Sequence, residues 1–415
     1  MGSLTRDGTR SAIDDGTRDI MTRRRYIAYG AALLYGLSFL LPWFSISPNR
    51  MALASPVSLY SLGPSVAAVI VLTAAILITQ IATARRWIQA TAVFSAALLS
   101  VGIPVLLVQL VYTSQHQVLN TTGRIGLSAG WYVFIAAGLL QVIPRSRPRW
   151  SLAGAAGVFT LSLLLIYFGG SLERLGLVRE AVTQQRRLPG EFLQHVRITF
   201  ISVSISTAAG IPAAIAAYRS LRARRFLFSL FNVLQTIPAI ALFGLMMVPL
   251  AMLGNTFPLL REVGFRGIGN TPAIIALAVY GLYPVMRNSF TALSRLDGGI
   301  VDAARGMGMN PLQEWRLVRI PLATPIILNG VRIAAVQTTG NAVLAKLIGG
   351  NGLGVFVFEG LGQASADLVL LGMGLTILLT LSIDILLQAA ITAVTPKSLQ
   401  KQYGGKDPQF DGVSA

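Results

Sequence analysis

The feature that most constrains this chain is its division into long apolar runs. Ten of them fall at roughly 26–44, 60–83, 88–112, 127–143, 151–170, 193–218, 226–252, 271–290, 323–346 and 368–393. Most are near the ~20 residues that an α-helix needs to cross about 30 Å of hydrocarbon. In lipid a spanning segment must satisfy its own backbone polar groups, which helices do within one run. Composition agrees: the 415 residues are 53% hydrophobic and 12% charged, against about 25% charged in a soluble domain. The expected fold is an all-α polytopic membrane protein of about ten transmembrane helices.

The net charge is +18. In a soluble chain that balance would point to nucleic acid, but here the cations sit in short clusters between the runs. Arg23, Arg24 and Arg25 precede the first run, and "RSLRARR" (219–225) joins the sixth to the seventh. Sorting the loops by Lys and Arg places both termini in the cytoplasm and explains the charge without a nucleic-acid partner. Residues 1–25 form a polar cytoplasmic tail rather than a cleavable signal, and 397–415 a second tail. The chain has no cysteine, which excludes disulfides and thiolate metal sites. No G-x-x-x-x-G-K-[ST] stretch exists, so this chain is expected to bind no ATP. No cluster of acids, bases or metal ligands supports catalysis, a metal or a cofactor. His116 and His195 fall near the outer ends of runs and read as interfacial.

A composition shift near residue 190 divides the chain. Before it the runs carry few polar residues. After it they carry Asn232, Gln235, Thr236, Tyr280, Tyr283, Gln337 and Asn341, all candidates to line a polar pathway, because polar groups at membrane depth are costly unless they face a cavity or protein. The Ser/Thr/Ala/Gly stretch "TFISVSISTAAGIPAA" reads as a close helix-packing face. Arg332 and Asp384 each lie about nine residues from the cytoplasmic end of oppositely directed runs. Both are then roughly 13 Å deep, and an intramembrane ion pair is expected.

One stretch between runs is polar: "DAARGMGMNPLQEWRLVRIP", Asp302 to Pro321. It reads as two short helices. Gly308 supplies a left-handed stop, and Asn310, Pro311 and Gln313 form an N-cap, first-turn proline and capping-box set. Leu312, Trp315 and Val318 make an apolar stripe, and Pro321 ends the element. Asp302 and Arg305 are spaced to pair. A short amphipathic helix pair of this kind is suited to a partner's groove.

This stretch resembles the "EAA" loop of binding-protein-dependent ABC importer permeases: Glu-Ala-Ala, three residues, Gly, nine residues, Ile-x-Leu-Pro. Here the pattern is Asp302-Ala303-Ala304, Gly308, and Val318-Arg319-Ile320-Pro321, with Asp for Glu and Ile for Leu. The segments "LQHVRITFISVSISTAAGIP", "NVLQTIPAIALFGLM", "GIGNTPAIIALAVYGLYPVMRNSFTAL" and "IGGNGLG" are similar to permeases importing glycine betaine, choline and related osmoprotectants. The resemblance covers 191–396. It implies a type I importer permease core of about five spans with a coupling loop at 294–321, and leaves 26–190 as an accessory region of about five spans. It further implies a bacterial inner membrane, a cytoplasmic ATPase dimer carrying the ATP, a second permease subunit (identical or a shorter sister) and a periplasmic or extracellular solute-binding protein. Another amino-acid-like solute is an alternative. A secondary transporter would need carboxylates in both halves, where Asp384 is the one clear case deep in a run.

Overall fold

The computed structural model describes residues 29–47, 54–62, 70–71, 73, 111, 124–142 and 175–395. The chain divides into two compact units, Met1–Val182 and Thr183–Ala415.

In the first unit, helix α1 (Tyr29–Leu40) is followed by strand β1 (Phe44–Ser47). β1 is the centre of a three-stranded antiparallel sheet with β2 (Ser55–Val57) and β3 (Arg124–Leu127) at its edges. Phe44 pairs with Val57 and Leu127, and Ile46 with Ser55 and Ile125. The Phe-Ser-Ile-Ser alternation turns Phe44 and Ile46 inward, as a period of two requires. They join Tyr35, Trp43, Leu59 and Ile125 in a core completed by Phe134 of α2 (Ala129–Val142). The Trp43 indole N–H donates to the Ser38 carbonyl at 2.8 Å. Arg124 pairs at 2.7 Å with Glu180 of α3 (Gly176–Thr183).

The sheet is absent from the all-α expectation. The first apolar run stops being helical at Leu40. The expected spans 60–83 and 88–112 lie almost wholly, and 151–170 wholly, outside the described residues, as do His116 and both tails.

Among the described residues of the second unit every named element is helical. α4 (Leu188–Arg219) leads through Ser220 into α5 (Leu221–Thr236) and α6 (Ala239–Thr256). α7 (Asn270–Ser294) and a short α8 (Gly298–Gly306) follow. Then come α9 (Ile320–Asn341), α10 (Gly354–Gly362) and α11 (Ala366–Val394). Among the described residues five segments are long and apolar enough to cross a membrane: α4, α6, α7, the run Pro311–Ile348 and α11.

The interior is a three-helix contact. α4 buries Thr199, Ser202, Ser206, Gly210 and Ala214, residues three or four apart that form one narrow face. Their small size lets α7 approach until side chains bond backbone. Ser202 Oγ donates to the Ile274 carbonyl at 3.1 Å, and Ser206 Oγ to Ala278 at 2.8 Å. A Cβ at Gly281 would stand 2.6 Å from Ser206 Oγ, and one at Gly330 of α9 would stand 2.9 Å from the Pro284 carbonyl. The Ser/Thr-rich stretch thus packs closely against its neighbours.

The expected single span 226–252 is two helices. Ile237 takes an extended backbone, with ψ 125, because the following Pro238 disfavours the helical conformation before it. The break is held from α7: the Tyr280 hydroxyl donates to the Ile237 carbonyl, and Gln235 Nε2 donates to the Tyr280 carbonyl at 2.9 Å.

Gly254, in α6, tests the tightness of this packing. A Cβ there would lie 1.7 Å from the Phe265 carbonyl oxygen, whereas one at Gly244 of the same helix meets nothing within 4 Å. Gly254→Ala is expected to cost about 1–3 kcal/mol, seen as a lowered thermal midpoint of the solubilised protein. Gly244→Ala is expected to be neutral or slightly stabilising.

Candidate functional site

The loop between α7 and α9 is built from the cap signals in its sequence. Asp297 caps α8 by accepting from the Gly299 N–H at 2.9 Å. Gly308 has φ +80, a conformation that glycine adopts without the penalty a Cβ brings. Space is not the constraint, since a Cβ there would touch nothing within 4 Å. The Met309 N–H returns to the Ala304 carbonyl at 3.2 Å, closing the helix end. Asn310 and Gln313 then exchange side chain-to-backbone bonds of 2.9 Å each way, a complete capping box.

The second half of the loop differs from expectation. After Pro311–Gln313 the chain passes through a π-helical stretch, Glu314–Arg319, and runs straight into α9. Pro321 does not end the element. It occupies the first turn of α9, directly after the π turn. The Ile320 N–H already reaches five residues back to Trp315, so the widened turn accommodates the proline.

Glu314 is the centre of the loop. Its side chain is nearly fully buried, and both oxygens are bonded: Arg305 Nε at 2.9 Å and Arg319 Nε at 2.5 Å. Arg319 also donates to the Tyr218 hydroxyl of α4 at 2.7 Å. One carboxylate thus joins α8, the π turn and the end of α4. The guanidiniums of Arg219 and Arg319 each lie over the Trp315 ring, 5.3 and 5.4 Å from its centre. A cleft of about 520 Å³ opens beside these groups, bordered by Tyr218, Arg219, Arg305 and Met309. The expected partner of Arg305, Asp302, stands 3.8 Å away with both side chains exposed, a contact of little energy. Asp302, Ala303, Met307 and Leu312 face outward, and Ala304 faces in. Glu314, Tyr218 and Arg319 were missing from the expected site set. The signal for Glu314 was a lone acid flanked by Arg305 and Arg319 in an otherwise amphipathic stretch.

The Arg332 guanidinium holds Asp384 with two bonds, Nε to Oδ1 at 2.6 Å and Nη2 to Oδ2 at 2.8 Å. Its remaining nitrogen donates to Gln388. This bidentate geometry ties α9 to α11.

The seven pathway candidates are not brought to one place. Gln235 and Tyr280 hold the α5–α6 break, as described above. Asn232 and Thr236 stand exposed on α5. The Tyr283 hydroxyl accepts from Arg287 at 3.3 Å. Gln337 and Asn341 lie one turn apart near the far end of α9, half-buried.

At that end the Gly-rich loop 349–354 is fastened by two helices, α4 and α7. The Gly352 N–H donates to Glu191 at 2.7 Å, and the Asn351 N–H to Asn270 at 2.8 Å. His195 is fully buried rather than interfacial. Its Nδ1 accepts from the Leu353 N–H at 3.3 Å, and its Nε2 lies 3.1 Å from the Thr339 carbonyl. These partners require the neutral imidazole with the proton on Nε2. The sequence offered no signal for this, because the partners are backbone groups 144 and 158 residues away.

The model of the family described as "Binding-protein-dependent transport system inner membrane component" matches residues 206–398. The choline transport system permease protein OpuBB of Bacillus subtilis is 31% identical over 208 residues, 50% of this chain and 88% of that protein. The chain belongs to this family of inner-membrane permease components. Two more relatives are similar at 33% identity over 50% of this chain: the glycine betaine/carnitine/choline permease OpuCB of B. subtilis, 88% covered, and the osmoprotectant import permease OsmW of Salmonella typhimurium, 91% covered. The chain is therefore a permease subunit of an ABC transporter in the inner membrane, with ATP hydrolysis on a separate subunit. Membership implies cytoplasmic ATPase and solute-binding partners.

The Arg332–Asp384 geometry predicts a strongly non-additive pair. Arg332→Leu or Asp384→Leu alone strands one charge in an apolar span, at a cost of about 2.5–3.5 kcal/mol on insertion scales. The double substitution should cost less than either alone. A double-mutant cycle on folded yield and thermal stability checks this, and additive losses would contradict it.

Proposed function

We propose that residues 191–396 form the pore-lining core of an ATP-driven importer for glycine betaine, choline or a similar quaternary amine delivered by a separate binding protein. The observation that carries this reading is coverage. This half of the chain matches 88–91% of the length of three relatives whose names give choline, glycine betaine/carnitine/choline and osmoprotectants as their solutes.

In this reading the 294–321 loop couples the ATPase to the pore. Its exposed face, Asp302, Ala303, Met307 and Leu312, seats in the ATPase. Gly308 allows the turn that presents this face, and Ala304 and Glu314 anchor it from behind. Because Pro311 to Asn341 is helical throughout, displacement of the loop moves α9 as a rigid body. The Glu314–Arg319–Tyr218 chain carries the same displacement to α4. Arg332 and Asp384 keep α9 and α11 in register while they move. A second permease subunit, identical or a shorter sister, completes the pore. Residues 26–190 are accessory, since the pathway candidates all lie beyond them.

The test is uptake of radiolabelled glycine betaine and choline into cells lacking other importers but expressing this chain with its ATPase and binding protein. ATP-dependent accumulation that requires the binding protein is the expected outcome, and accumulation of neither solute would overturn the substrate assignment. Gly308→Asp and Asp302→Lys are expected to leave the protein in the membrane while abolishing ATPase co-purification or uptake. A chain beginning near residue 186 behind a basic anchor is expected to insert and retain part of the uptake. Assembly without any uptake would place part of the pathway in the first half.

A further inference from the structure

The exposed surface of α5 is divided lengthwise. Successive helical residues turn by about 100°. Arg222, Arg225, Ser229, Asn232 and Thr236 therefore share one arc of about 80°, and all are exposed. Phe226, Leu230 and Val233 fill the neighbouring arc and are exposed as well. The remaining face, with Leu227, Phe231 and Leu234, packs against Met286 and its neighbours on α7.

The polar arc reaches hydrocarbon depth. α5 runs antiparallel to α7, from Arg224 over the Phe290 ring at 4.8 Å to Gln235 bonded to the Tyr280 carbonyl. With Arg222 at the headgroups, a rise of about 1.5 Å per residue puts Ser229 roughly 10 Å in, Asn232 roughly 15 Å and Thr236 roughly 21 Å. Thr236 returns its hydroxyl to the Val233 carbonyl at 2.7 Å. Ser229 and Asn232 have no hydrogen-bond partner among the described residues. An amide facing lipid without a partner costs several kcal/mol. The adjacent apolar arc pays no such penalty.

We infer that the polar arc of α5 is the water-exposed wall of the inner half of the translocation pathway, with Arg222 and Arg225 at its mouth, Ser229 and Asn232 along it and Thr236 at its deep end. This rests on the permease reading above and narrows it: Gln235 and Tyr280 are assigned to the α5–α6 break rather than to the wall. No aromatic ring lies on this arc, so it has no face to trap a quaternary ammonium. Passage past hydroxyl and amide groups leaves the solute hydrated and weakly held, as conduction requires.

The chain has no cysteine, so single thiols report directly. Ser229→Cys and Asn232→Cys probe the polar arc, and Leu230→Cys and Val233→Cys the apolar arc, each in the full complex with ATPase and binding protein. A membrane-impermeant methanethiosulfonate is applied from the cytoplasmic side. The reacting species is the thiolate, which forms in water and not in hydrocarbon. The polar-arc thiols are expected to react about tenfold faster than the apolar-arc thiols, and their modification to stop uptake. Equal or reversed rates would overturn the assignment, by placing the arc against lipid or the second subunit. Fast modification that leaves uptake intact would also overturn it, by separating the wetted face from the solute route. Uptake by the unmodified complex is scored separately, so failure of the importer reading is distinguishable from failure of this one.

Discussion

The fold of the second unit depends on how closely α4 and α7 can approach. In lipid there is little hydrophobic gain from pairing two apolar helices, so packing and short polar contacts must hold them. The serines of α4 meet both needs. Ser206 donates to the Ser202 carbonyl on its own helix and to Ala278 on α7, each at 2.8 Å. A larger residue at Ser206 or Gly281 would force the helices apart and loosen α9 with them, since Gly330 presses on the same segment of α7 through Pro284 and Asn288. The loop between α7 and α9 and the α5–α6 break are both mounted on these helices.

What was legible in the sequence follows from range. The long helices of the second unit were readable because apolar length is a property of each run. The loop caps were readable because Asn310 and Gln313 bond across three residues. The left-handed position of Gly308 was readable for the same reason, since a short helix needs a stop. Arg332 and Asp384 are 52 residues apart, but burying a charge in lipid demands a partner, and that demand substitutes for proximity in sequence.

The rest was hidden for physical reasons. Pro238 could be seen, but whether it kinks or breaks a helix depends on the Tyr280 hydroxyl that supports the open carbonyl. Pro321 looked like a terminator because proline cannot continue a regular α-helix, and the π turn that removes the conflict has no composition of its own. β1 went unread, with only its first residue, Phe44, inside the expected 26–44 run, because four residues of alternation are too short a signal. Glu314 looked like one charge among several until three elements closed around it.

The uninterrupted helix from Pro311 to Asn341 has a mechanical corollary. It is 31 residues long, or about 46 Å at 1.5 Å per residue, stiff in compression, and tied at both ends. At one end Glu314 clamps it. At the other, the chain leaves it through Ala342–Ile348 into a loop riveted by Glu191, His195 and Asn270. A pushrod fixed at both ends delivers no stroke unless something along the line yields. The yielding parts are Gly349 and Gly352, with φ +76 and +121, the two backbone joints between the rod and the start of α10. Any strain carried along this helix therefore meets its first conformationally permissive backbone at these two glycines.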